Sequence, residues 1–285
     1  MKTYREIYIR KAEIAQLILL HQLYAQKESR NLIFQGGTAI RWCHGGSRFS
    51  EDIDFVTSIS PVGIQKILHI AVKGAEKLMI PHFGVGSVKL NEKHARPGSM
   101  KCFVDFRPDG VREKISIKIE VEGLAMGEVP DTQNHVLSLM SSVAYLIAAG
   151  EFRVPRPHTV IVAQTPMEIL SDKVRALLER QYLKGRDFFD LWYLYSVLKT
   201  LVDVKIIERK FTLYRAAFIA RRSVDFFVRP SKQEKEMMRE AIERDLSRFL
   251  PPDVLAVHRA NKYNAFLESV SSIFSEIKAK GVRIP

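Results

Sequence analysis

The apolar residues of this chain change their spacing partway along it, and that change limits its architecture more than any other feature. In the first half, short runs at 31–35, 52–56, 85–90, 100–106 and 115–121 read as strands, with a further apolar stretch at 159–163. Two segments there have helical spacing instead: 4–27, through Ile7, Ile14, Leu17, Ile18 and Ala25, and 61–79, through Ile64, Ile67, Leu68, Ala71 and Leu78. From Thr165 onward the period is almost entirely 3.6. Helices are expected at 166–182, 187–199, 202–217, 231–248 and 258–279, with Pro251-Pro252 separating the last two. This pattern predicts an α+β fold: a mixed β-sheet with flanking helices, followed by an α-helical C-terminal region. The boundary is expected near residue 160, with one domain over 1–160 and a second over 161–285. The chain shows no internal repeat and no low-complexity segment.

Composition narrows the setting. With 285 residues, 46% of them hydrophobic, the chain is long enough for one large or two small domains. No run approaches the roughly 18 apolar residues of a membrane span. Lys2, Arg5, Arg10 and Lys11 ahead of the apolar run 14–20 faintly resemble a secretory leader, but that run is too short and is broken by Gln16. Cys43 and Cys102 make no C-x-x-C pair and no disulfide framework, which fits a reducing cytoplasm. The net charge of +12 favours a polyanionic partner, because basic surfaces gain affinity for phosphate backbones through counterion release.

The densest chemical information lies in Gly36-Gly37-Thr38 and in Ser50-Glu51-Asp52-Ile53-Asp54-Phe55. On a strand, Asp52 and Asp54 project from one face while Ile53 and Phe55 point to the other. Two neighbouring carboxylates repel unless a cation lies between them, and Mg²⁺ takes such hard oxygen ligands together with substrate phosphates. Taken alone, the D-x-D is more often a polar strand edge with two solvated acids. Gly36 and Gly37 follow a strand and open a short helix through residue 43, so the backbone can approach a phosphate closely, with the amides and the Thr38 hydroxyl as donors. A plain strand-to-helix turn reads the same way. It is the order of the elements, a phosphate cradle and then an acidic strand about fifteen residues on, that favours chemistry.

That order resembles the first motif of the polymerase-β-like nucleotidyltransferases, a G-[GS]-[ST] turn before a D-x-D strand. The resemblance implies a third carboxylate on a later strand. Glu120 in Ile119-Glu120-Val121 is the preferred match, with Glu122 and Asp105 as rivals. Further on, Lys173 to Arg180 fits K-x6-[KR], and Asp187 to Leu194 fits D-x-x-D-x-x-x-L through Asp190. Together with Ser-x-Asp-x-Asp these resemble the AbiEii and MenT type of toxin nucleotidyltransferases over residues 30–200. Lys173 and Arg180, seven apart, are expected on one helical face, and Asp187 and Asp190 on the next helix. Taken alone, they also read as a solvated helix face and as an acid favoured by a helix N-terminus.

The resemblance implies transfer of a nucleoside monophosphate from an NTP to an acceptor hydroxyl. It places Asp52, Asp54 and Glu120 on two Mg²⁺ ions, with Mn²⁺ as a substitute, and Lys173 and Asp187 among the catalytic residues. Gly36, Gly37, Thr38, Ser50 and Arg180 would hold the nucleotide; Arg41 and Arg48 lie near the same turn. It further implies the toxin of a toxin–antitoxin or phage-defence pair, a cognate antitoxin, and the tRNA 3′ end as acceptor, consistent with the charge. Lys184-Gly185-Arg186 and Arg221-Arg222 are candidates for an RNA path or ordinary surface charge. A small-molecule acceptor, a protein side chain, and a non-catalytic RNA-binding module remain as alternatives.

Overall fold

The structure, a computed structural model, describes residues 4–93 and 98–285; Lys2 of the basic start lies outside the described residues. The chain forms two compact units, Glu6–Gln164 and Thr165–Pro285, the second also taking in Tyr4 and Arg5.

The first unit opens with α1 (Glu6–Tyr24), which is buried nearly all round, with Leu17, Ile18, Leu19, Leu20 and Leu23 fully enclosed. Then follow β1 (Ile33–Gln35), α2 (Gly36–Cys43), β2 (Asp52–Thr57), α3 (Pro61–Phe83), β3 (Gly86–Lys93), β4 (Ser99–Pro108) and β5 (Ile115–Gly123). The unit ends with β6 (Thr132–Val136), α4 (Ser141–Ala148) and β7 (Val160–Gln164). The seven strands form one mixed sheet in the order β3-β4-β5-β2-β1-β7-β6. β2 runs antiparallel to β1 and parallel to β5. α1 packs on α3 and on β5. The alternation along β5 shows how the faces divide: Ile115, Ile117, Ile119 and Val121 are buried, while Ser116, Lys118, Glu120 and Glu122 occupy the half-buried opposite face. α3 starts where Ser60 caps the Gly63 amide and Pro61 takes the first turn; it ends at Gly84, whose φ of 90° stops the helix.

β6 and α4 were not expected from the sequence. Thr132-Gln-Asn-His-Val136 carries almost no apolar residue because it pairs only with β7, at the sheet edge. α4 is apolar nearly throughout, yet only Val143 and Leu146 are buried, so it has no amphipathic stripe to read.

The second unit contains α5 (Pro166–Glu179), α6 (Gly185–Trp192) running into a π-turn over Tyr193–Val197, α7 (Val204–Lys210), α8 (Asp225–Val228), α9 (Lys232–Phe249), α10 (Pro252–Ala260) and α11 (Asn264–Ala279). Gly185 allows α6 to meet α9 at close range: a Cβ there would strike the Ala241 carbonyl and Ile242 Cα. α5 and α7 are joined by a buried ion cluster. Lys210 Nζ, wholly enclosed, reaches Glu168 at 2.6 Å and Asp172 at 2.7 Å; Arg209 also pairs with Glu168, and the Tyr214 hydroxyl donates to Asp172.

Two expected helices differ. The predicted 202–217 helix ends at Lys210, because the segment after it is tied by side chains instead: Tyr214 to Asp172, and Phe211 to Phe218 with ring centroids 4.4 Å apart. The predicted 258–279 helix is split, since Lys262 and Tyr263 both adopt positive φ (50° and 58°) between α10 and α11. Among the described residues, no helix is long and apolar enough to cross a membrane.

Candidate active site

In the sheet unit, the turn from β1 into α2 lies directly against the acidic strand. Gly36 has φ 77°, and a Cβ on it would stand 2.5 Å from Asp54 Oδ2. A Cβ on Gly37 would run into the Arg48 guanidinium and lie 3.0 Å from Ser50 Oγ. Both positions therefore require glycine, one for conformation and space, the other for space alone. α2 begins at Gly36, and no side chain caps its N-terminus, which leaves a helix end suited to an anion beside the Asp54 carboxylate.

Thr38 ties this turn to the acidic strand. Its side chain is wholly buried, and its hydroxyl donates to the Asp52 carbonyl, fixing α2 to β2. Ser50 is also buried, with its carbonyl accepting from Gln16 Nε2 at 2.6 Å. Gln16 Oε1 in turn accepts from Trp42 Nε1 at 3.3 Å, so the polar residue that interrupts the apolar run of α1 holds the approach to β2. Arg41 is engaged by Glu13 at 2.8 Å and by the Gly46 carbonyl at 3.0 Å. Arg48 is almost fully buried, donating to the Phe49 carbonyl at 2.9 Å with its guanidinium along Gly37.

The acids meet across the β2–β5 pair. Asp54 is the register partner of Glu120, and Asp52 that of Lys118, so all four occupy one face. Lys118 Nζ is 2.7 Å from Asp52 Oδ2 and 3.3 Å from Glu120 Oε1; Lys101, opposite Glu120 on β4, reaches the same oxygen at 3.3 Å. Burial alone would raise the Glu120 carboxyl, but Lys118 and Lys101 outweigh it and hold it below the usual range. Burial likewise disfavours charge on Lys118, and Asp52, Glu120 and Asp54 overcome this, keeping the ammonium charged.

Of the rivals to Glu120, Asp105 lies opposite Ser116, four residues along β5, or about 13 Å by strand rise. It is engaged there by Lys114 at 2.7 Å and Asn91 at 2.9 Å, and by Ser116. Glu122 lies opposite Val56, one pleat beyond the Asp54–Glu120 pair. Among the described residues no three of His, Cys, Asp and Glu form a ready metal site. The donor set still suits Mg²⁺: hard carboxylate oxygens on one half-buried face, at a spot that already draws an ammonium between the acids.

In the helical unit, Lys173 donates to Asp187 at 2.9 Å and contacts Asp190 at 2.7 Å, while Arg180 pairs with the second oxygen of Asp187. Both aspartates are fully enclosed, and Lys173 is 8% exposed. Burial would raise the Asp187 carboxyl; Arg180, Lys173 and Arg186 prevail and hold it well below the carboxylate range. Arg180 is not on the helical face expected of it: α5 ends at Glu179, and Arg180 is the extended C-cap residue. Arg222 closes that end, donating to the carbonyls of Leu177, Arg180 and Gln181. Lys118 and Lys101 were missed in the sequence, although the period of two along β5 puts Lys118 on the Glu120 face.

Known proteins share the family and the fold of this chain. The sequence profile of the nucleotidyl transferase AbiEii toxin, type IV toxin–antitoxin system, matches residues 17–276. Two solved Helicobacter pylori proteins share the fold: one provisionally described as a nucleotidyltransferase (TM-score 0.56, 14% identity, 98% of this chain and 100% of that one) and JHP933 (0.55, 14%, 98% and 96%). No curated protein matches the chain. The chain belongs to the AbiEii nucleotidyl transferase toxin family of type IV toxin–antitoxin systems.

Proposed function

We propose that this protein transfers a nucleoside monophosphate from an NTP to an RNA hydroxyl, with the tRNA 3′ end as acceptor, and that a cognate antitoxin restrains it in the cytoplasm. The observation that carries the reading is the abutment of Gly36 on Asp54: a helix N-terminus suited to phosphate lies against one of three carboxylates on a single sheet face. The net charge of +12 supports a polyanionic acceptor over a small one.

In the reaction, the acceptor oxygen forms a bond to the α-phosphorus. The bond from that phosphorus to the bridging oxygen breaks, and pyrophosphate leaves with the electron pair. The backbone at Gly36, Gly37 and Thr38 would hold the triphosphate, with Ser50 shaping the turn. Asp52 and Asp54, with Glu120 as third carboxylate, would hold Mg²⁺ or Mn²⁺, which when bound lowers the charge on the phosphates. Glu120, kept ionised by its two lysines, can instead accept the acceptor's proton. The family resemblance also gives Lys173 a catalytic role; within the helical unit it is held in place by Asp187 and Asp190, with Arg180 securing Asp187.

The test is to incubate the protein with Mg²⁺, each α-³²P-labelled NTP and total tRNA, beside Asp52→Ala and Asp54→Ala. Metal-dependent label on tRNA with wild type alone supports the reading and names the nucleotide. Label on protein, or on a small acceptor, removes the RNA claim. No transfer by a folded protein with any NTP removes the activity.

A further inference from the structure

The cation between the carboxylates is part of the chain itself. Three acids on one face, Asp52, Asp54 and Glu120, would ordinarily need two divalent ions to balance them and the triphosphate. Here Lys118 projects from β5 directly opposite Asp52, with its ammonium 2.7 Å from that carboxylate and 3.3 Å from Glu120. Lys101 approaches the same Glu120 oxygen from the other side, at 3.3 Å. One oxygen of Glu120, Oε1, is therefore held by two ammonium groups. Together the three carboxylates and two lysines carry only one more negative charge than positive. A second divalent ion would have to enter where an ammonium is already held by acids from two strands, and like charges at such range repel strongly in a half-buried setting.

We infer that Lys118 takes the place of one metal ion, so that this site binds a single divalent cation, on Asp54 and on the Asp52 oxygen other than the one Lys118 holds, together with the nucleotide. This rests on the metal-dependent reading above. The ion brought by the triphosphate keeps its position, and Lys118, fixed by the sheet register, supplies the second positive charge. On this count Glu120, given above as the third metal ligand, instead holds the lysine.

The count of bound ions decides the matter independently of turnover. Purified full-length protein is dialysed to equilibrium against Mn²⁺ and an equimolar mixture of α,β-imido analogues of the four NTPs, and the protein-dependent Mn²⁺ is measured. The expected result is one ion per chain for wild type, one for Lys118→Arg, and two for Lys118→Met, whose apolar side chain leaves the carboxylates without their cation. Two ions on wild type overturn the inference and leave the nucleotidyltransferase reading intact. One ion on a Lys118→Met protein that retains the wild-type circular dichroism overturns the role of Lys118. No ion on wild type overturns both the inference and the metal reading. If Lys118→Met does not fold, Lys118→Gln replaces it with the same expectation.

Discussion

Both units of this protein gather lysines and carboxylates, but in opposite settings. On the sheet, Asp52, Asp54, Glu120, Lys101 and Lys118 lie on a half-buried face where the acids outnumber the bases. Among the helices, Lys173, Arg180, Asp187 and Asp190 are matched two against two, and both acids are shut away from water. An unbalanced, partly exposed cluster is disposed to take up a further cation or exchange a proton. A matched, enclosed cluster resists change, and removing one member leaves a buried charge uncompensated. Mutations in the first should therefore be felt in chemistry and those in the second chiefly in folding.

The sharpest way to break this contrast is Asp54→Ala. It should lower nucleotidyl transfer by more than about a thousand-fold, roughly 4 kcal/mol of transition-state stabilisation, with little change in thermal midpoint. A large loss of stability, seen by calorimetry, would mean that the open cluster is structural after all. Lys173→Met should do the reverse first, destabilising the helical unit by about 3 kcal/mol because Asp190 and half of Asp187 lose their ammonium. Urea unfolding followed by Trp192 fluorescence, with Trp42 replaced by Phe to silence the sheet unit, reads this directly; an unchanged midpoint would refute the structural role.

Gly36→Ala tests the join between turn and acidic strand. Positive φ and the approach to Asp54 should together cost about 2 kcal/mol, and transfer should fall as well because the carboxylate must move. Thr38→Val should cost about 1 kcal/mol, the loss of one buried hydrogen bond to the Asp52 carbonyl. If it abolished nucleotide binding without altering stability, the Thr38 hydroxyl would be a ligand contact and not a tie.

The smallest effect is in the pH dependence of the enclosed cluster. The folded Asp187 carboxyl lies below its ordinary value of 3.8, so its contribution is complete above the unfolded pKa and is lost as pH falls through the folded one. The stability gap between wild type and Asp187→Asn should be constant above about pH 5 and narrow below about pH 4. A gap that widened in acid would reverse the sign and with it the assigned pairing.

Much of this was legible because it depends on local spacing. The period of two placed β2, β4 and β5 and put Asp52 with Asp54 on one face; the period of 3.6 placed α5 and α9. Asp187 and Asp190, three apart on α6, do share one partner, Lys173. What escaped was decided by partners distant in sequence. The end of α5 at Glu179 depends on Arg222, more than forty residues on. The end of α7 goes with Tyr214 held by Asp172.

The sequence by itself determined the strand-to-helix change of period, the glycine turn and the pair of aspartates, because each is written in neighbouring residues whose side-chain directions follow from backbone geometry. Only the tertiary structure decided that β2 lies beside β5 in a register that sets Lys118 against Asp52 and Glu120 against Asp54, that the Thr38 hydroxyl is committed to a carbonyl, and that Asp187 is enclosed by two cations. The reason is physical: strand order and register are set by which apolar faces the whole sheet and its helices bury together, and no local pattern carries that information.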